Sequence, residues 1–308
     1  MLGSVAILFY SCNQSPERIA EQCKSDSREY HQYALLSSRI NSLEELKALL
    51  GIEYLKSDSD TIDGEVKLSY CSKLGMIYSE LTSGLSQEDI MKAQKAGISE
   101  KLEVMIEEPV LVQNRKHLKD IYLLSRRRHD VYGYPDVAFY DLALEASRRI
   151  RKDATSFSFQ RDSSEKGYLN TFNHITAQAL ITSIYSASLA DKVADVHERY
   201  NMPELINGRF SANQLESLSN NPVDNYVDII NNEVGQILGE QLKNKYRITL
   251  HQQWNEKLLC QYLNDLQRFY SKAFKISLKP FNENEYVILR FCEKLNVYYK
   301  TKHKALPS

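Results

Sequence analysis

Glycine and proline are scarce in this chain, at 11 and 7 of 308 residues, and tryptophan occurs once. So few chain breakers exclude collagen-like, low-complexity and turn-dense all-β architectures, and they leave long periodic segments suited to helices. Neither sign of charge dominates: 39 Lys and Arg stand against 40 Asp and Glu, for a net charge of −1. No global field draws such a protein onto nucleic acid or an acidic membrane, and no nucleic-acid partner is expected. The two basic runs, Arg126-Arg127-Arg128 and Arg148-Arg149-Ile150-Arg151-Lys152, read as solvated helix faces. P-loop, dinucleotide fingerprint, G-x-S-x-G elbow and H-E-x-x-H helix are all missing, which argues against nucleotide use and serine-hydrolase chemistry. None of the five cysteines (Cys12, Cys23, Cys71, Cys260, Cys292) forms a C-x-x-C pair or stands near a histidine at zinc-finger spacing.

What is present predicts an all-α multi-helix bundle, with a short β-hairpin near the C-terminus as the one admissible exception. A 43% hydrophobic content can fill a core without metal or disulfide staples. Residues 2 to 10 (L-G-S-V-A-I-L-F-Y) are apolar, too short to span a bilayer, and end at Ser11-Cys12 before a polar stretch. This pattern reads as the tail of a secretory signal meeting a lipoprotein cleavage site, with Cys12 as the lipidated residue and a lipid anchor as the membrane partner. No positive charge precedes it and Phe9 stands where an aliphatic residue is usual, so a buried first strand or helix is the alternative. Lipidation at Cys12 would leave four cysteines in an oxidising compartment, where disulfides form.

Further along, Ser42-Leu-Glu-Glu45 is a capping box that opens a helix ending at Gly51. An apolar spacing of Leu68, Cys71, Leu74, Tyr78 and Leu81 predicts a second helix closed by Gly84. Ser86 and Ser99 each start another, and Asp136 is placed to cap a helix running to about Lys152. The polar residues 153–166 divide an N-terminal helical region, 13–152, from a central helical domain at 167–275. Within that domain a strong amphipathic helix is expected over 249–274, with Trp254, Tyr262, Leu266, Tyr270 and Phe274 on its core stripe. Residues 276–308 form a tail, hairpin or last helix.

Polar residues recur at helical spacing inside apolar segments from Gly167 to Leu242. On one unbroken rod His174 and His197 would stand about 35 Å apart at 1.5 Å per residue. A break at Ser186-Ala-Ser188, with Ser188 capping the next helix, folds the rod into a hairpin that brings His174 level with His197 and Glu198. Asp195, two residues from His197, faces the other way. A third helix over 223–243 carries Asp228, Asn232, Gly235 and Gly239 on one stripe. Each interior glycine costs roughly 1 kcal/mol against alanine, so two of them point to close helix packing. The expected site is His174, His197, Glu198, Asp228 and Asn232.

The order F-x-H-x-x-x-x-A-L, A-D-x-H-E, D-x-x-N-N-x-x-G resembles an uncharacterised bacterial helical domain of secreted, wall-associated and large toxin-like chains. Its matching positions here are Phe172, His174, Ala179, Ala194, Asp195, His197, Glu198, Asp228, Asn231, Asn232 and Gly235, within residues 167–242. Asn173, Ala177, Val227 and Ile230 replace the family's arginine, tryptophan, methionine and middle histidine. The resemblance implies a bacterial source and a helical fold, and no activity.

Two chemistries suit the cluster. His174, His197, Glu198 and Asp228 could ligate a divalent metal such as zinc and make the protein a hydrolase of lipid or phosphate esters. The other reading is a satisfied polar network that specifies helix packing in an interaction or scaffolding protein of the bacterial cell envelope.

Overall fold

The computed structural model describes residues 32–55, 64–95, 109–152, 156–207, 210–216 and 222–303. Cys12, Cys23, the apolar run before them and the helix expected from Ser99 lie outside the described residues. Among those described, the protein is a helical bundle with one small antiparallel sheet. Its order is α1 (Leu43–Leu49), β1 (Leu50–Leu55), β2 (Glu65–Ser72), β3 (Gly75–Thr82), α2 (Gln87–Lys95), α3 (Pro109–Gln113), α4 (Arg115–Ser125), α5 (His129–Tyr132) and α6 (Phe139–Arg148). Then follow α7 (Asn170–Ile184), α8 (Ala187–Arg199), α9 (Glu204–Asn207), α10 (Ala212–Glu216), α11 (Pro222–Tyr246), α12 (Glu256–Phe274) and α13 (Tyr286–His303). No described helix is long and apolar enough to cross a membrane.

The sheet is the main departure from expectation, and it lies at 50–82, far from the C-terminus. Its strands run in the order β1-β2-β3, with Tyr70 opposite Leu50 and Ile77. The spacing that read as helical is accidental: Leu74 sits in the turn and Tyr78 is 67% exposed. The alternation Val66, Leu68, Tyr70 is what the core uses, one face of a pleated strand rich in β-formers. Gly75, at φ +131°, closes the turn where an L side chain would be strained.

Caps read from the sequence fall into two groups. Ser42 Oγ accepts from Glu45 N (3.1 Å) and Ser86 Oγ from Asp89 N (3.3 Å), as their patterns predict. Asp136 caps nothing; it is buried, and its Oδ2 accepts from Lys294 Nζ and Arg128 N, both at 2.7 Å. A buried carboxylate facing a buried ammonium is held by the charge, so the helix start falls to Ala138, whose N–H donates to Asp141 (2.8 Å). Helix α12 likewise starts seven residues later than the stripe suggested, because Asn255 Oδ1 accepts from Leu258 N (2.8 Å) and caps it there. Trp254 lies just before it, still buried in the core. The C-terminal stretch resolves as a helix, with only Leu278 bridging to Ile150 as extended chain.

Apolar side chains from Ala34 to Leu295 join one core. At its centre α7 is buried on nearly every face and carries Thr176, Gln178, Thr182 and Ser183 into the interior. Helix α11 lies against it so closely that its glycines have no room for a side chain. A Cβ on Gly235 would stand 2.7 Å from Gln178 Cβ and 2.8 Å from Ile175 O. On Gly239 it would stand 2.6 Å from Ala179 O and 2.7 Å from Thr182 Cβ. Ser183 Oγ uses the proximity to donate to Gly239 O (2.7 Å).

Gly239→Ala is therefore expected to destabilise. Overpacking costs about 1–3 kcal/mol in a well-packed core, and the better helix propensity of alanine returns at most about 1 kcal/mol. Urea unfolding checks this; a midpoint equal to or above that of the wild type would mean the helices stand further apart.

Candidate functional site

The hairpin predicted between α7 and α8 exists, with a tighter turn. Ser186 is the cap, accepting from Leu189 N (3.2 Å), two residues before the expected Ser188. Tyr185 leaves the helix and Ser186 is already extended, so no longer connection is needed. Folding the rod brings the His174 and His197 ring centroids to 6.3 Å.

His174 stands at the middle of a buried chain of polar groups. Its Nδ1 is hydrogen-bonded to Asn232 Oδ1 (2.9 Å). An amide oxygen only accepts, so the ring proton is on Nδ1. Asn232 Nδ2 in turn donates to Glu198 Oε1 (3.3 Å). At the opposite ring edge Nε2 lies 3.3 Å from Asp228 Oδ2, a separation that requires one proton shared between them. Asn170 Nδ2 donates to both Asp228 oxygens (2.8 and 3.1 Å), and Lys166 pairs with Asp224 one helical turn away. Glu198 and Asp228 are both buried, and burial is the main cause that pushes each carboxyl above the usual range.

Of the predicted residues, His174, Glu198, Asp228 and Asn232 share this network, and His197 does not. Its ring is exposed, with Nδ1 3.3 Å from Gln87 Oε1 on α2. Crowding by protein atoms and the neighbouring His174 still lower its pKa. Asp195 faces away from His197, as expected, and pairs with Lys192 (3.1 Å). Asn231, counted before only as part of a motif, turns out to hold the N-terminal segment. Its Oδ1 accepts from Leu35 N (3.1 Å) and its Nδ2 donates to Leu35 O (2.9 Å). The doubled amide N-N was the available signal, since consecutive helical positions point about 100° apart and serve different neighbours.

The expected zinc site is overturned. Among the described residues no group of three or more His, Cys, Asp and Glu side chains could hold a metal ion. The reason is geometric: Asp228 and Glu198 lie at opposite edges of the His174 ring, so an ion at either ring nitrogen is out of reach of the other carboxylate. With His197 turned to Gln87, the fourth ligand is lost as well. The metal-dependent hydrolase reading falls with it, and both His174 nitrogens are already committed to protein atoms.

Beside this network, β3, α8 and α11 border a narrow cleft with room for about one water molecule. Asp191, Asp195, Glu198 and Glu233 line it. Sequence reasoning missed Asp191 and Glu233, because the strand that completes the cleft was read as helix. Burial, followed by the charge of Asp191, pushes Glu233 up to about 8. Burial and Asp195 push Asp191 up to about 6. Carboxyls raised in this way bind protons more tightly in the folded than in the unfolded protein. Their stabilisation is complete below the unfolded carboxyl range and is lost as pH rises through about 6 and then about 8. The melting temperature is expected to fall between pH 5 and pH 9, and Glu233→Gln should flatten the upper part of that fall. Calorimetry across this range that finds no slope, or the same slope in the variant, would refute the assignment.

Comparison with curated proteins and with solved structures gives no match. The family resemblance seen in the three motifs extends at both ends beyond residues 167–242. Residues 138–264, from the start of α6 into the first half of α12, match the family model of the Domain of unknown function (DUF6973), and this segment of the chain is similar to that family.

Proposed function

We propose that the chain is an interaction or scaffolding protein of the bacterial cell envelope, in which the His174 network sets the arrangement of α7, α8 and α11. The observation that carries the reading is the commitment of both His174 nitrogens, with the ring only 12% exposed. A general base needs a nitrogen within reach of a reacting proton. A packing element needs every polar group satisfied, and this network meets that requirement. The outer surfaces of the bundle are then the working part.

The placement draws on Cys71, which is disulfide-bonded. Disulfides persist in secreted and periplasmic proteins and are rare where thiols are kept reduced. Lipidation at Cys12 would add the membrane anchor.

His174→Ala is expected to lower the melting temperature by several degrees, because it strands buried carboxylates and an amide. His197→Ala, at an exposed ring, should stay within about 0.5 kcal/mol of the wild type. Equal, small effects of the two would sink the packing role. Fractionation of the producing cells tests the location: the chain should follow the membranes, and Cys12→Ala should release it. A chain found with the cytosol, Cys71 reduced, would overturn the envelope placement.

A further inference from the structure

Cys71 occupies an unusual position. Along β2, Val66, Leu68 and Tyr70 face the main core, so Cys71 projects from the other face of the sheet together with Lys67, which is exposed. Cys71 is nevertheless only 2% exposed and lies outside the main core, with Met76 the apolar neighbour packed against it. It is disulfide-bonded. Two of the other four cysteines are free thiols in the main core: Cys260 Sγ donates to Phe281 O and Cys292 Sγ to Trp254 O, both at 3.3 Å. Its partner is therefore Cys12 or Cys23, both outside the described residues.

We infer that the partner is Cys23. The first described residues run along the end of β2 beside Cys71: Lys73 N donates to Gln32 O (3.1 Å), Tyr70 OH to the same oxygen (3.1 Å) and Ser72 Oγ to Tyr33 O (2.8 Å). From that fixed point Cys23 is nine residues upstream and Cys12 twenty. An extended chain covers about 3.4 Å per residue, so either can reach. Loop closure scales as the −3/2 power of length, which favours the nine-residue loop about threefold. Cys12 is also the residue read as lipidated, and a thioether-linked sulfur cannot enter a disulfide. That last point rests on the proposed anchor; the loop argument does not.

The bond forms by exchange with an external disulfide such as oxidised glutathione. One protein thiolate attacks the oxidant and releases a first glutathione thiolate. The second protein thiolate then attacks the mixed disulfide and releases another, so two protein thiols are oxidised and one glutathione disulfide is reduced to two thiols. Its consequence is a covalent tie between the N-terminal segment and the outer face of the sheet. With Cys12 in a membrane, only the eleven-residue step to Cys23 would separate sheet and bilayer, a span of at most about 40 Å.

The test is a peptide map of the full-length chain, exposed to glutathione disulfide, alkylated without reductant and digested with trypsin. The expected product is peptide 19–24 joined to peptide 68–73, absent from a Cys23→Ala variant and retained in Cys12→Ala. Peptide 1–18 joined to 68–73 would overturn the pairing and remove Cys12 as an anchor, while leaving the oxidising compartment in place. Recovery of peptide 68–73 alkylated at Cys71 would overturn the pairing and withdraw the compartment argument, which cell fractionation then decides independently.

Discussion

The approach of α11 to α7 through Gly235 and Gly239 is the constraint on which the rest of the structure depends. With no Cβ at either position, the α11 backbone comes within van der Waals reach of Ile175, Gln178, Ala179 and Thr182. At a usual interhelical distance of 8–10 Å, short side chains such as Asn232 and Asp228 could not reach a ring on the facing helix. Brought together, they close on His174 from both edges. The same proximity lets Ser183 find the Gly239 carbonyl and Tyr262 at one hydroxyl, so polar residues inside α7 are satisfied without water. Close packing and polar burial are here one arrangement.

That arrangement accounts for the motifs better as architecture than as chemistry. Asn231 and Asn232 are neighbours in sequence and serve different parts of the protein, one gripping the backbone at Leu35 and the other bridging His174 to Glu198. A half-satisfied network would cost about 1–3 kcal/mol for each orphaned group. Asn170, which lies outside the motif residues, completes the set by donating to Asp228. An acidic excess remains on the cleft side, where Asp191, Asp195 and Glu233 face β3 with little compensating positive charge beyond Lys192. The price of this excess is a dependence of stability on protonation.

How far the sequence reveals all this varies with the kind of signal. Helices α7, α8 and α11 are legible because their apolar periodicity is long and a serine marks the turn between the first two. The interior glycines of α11 announce a close neighbour, and α7 is that neighbour. Level along an axis is not direction around it, and this is why His197 could be placed beside His174 in height yet face Gln87. The sheet is hidden because five apolar residues in β2 and β3 mimic a helical stripe, and only the partner strand distinguishes the two periods. Asp136 looks like a cap until Lys294, 158 residues away, supplies a charge that no local pattern can indicate.

The N-terminal segment is what joins these parts. Its backbone at Gln32 and Tyr33 is held by the end of β2, at Leu35 by Asn231 and Thr171, and at Ser38 and Arg39 by Asp162. The segment thus enters the fold between the sheet and α11, the helix that sets the polar network. A load applied upstream of residue 32, such as a tether to a surface, is delivered through these bonds to the most tightly packed pair of helices. A domain meant to present its outer faces while anchored at one end needs such a coupling, since a loosely attached terminus would let the bundle turn freely about its anchor.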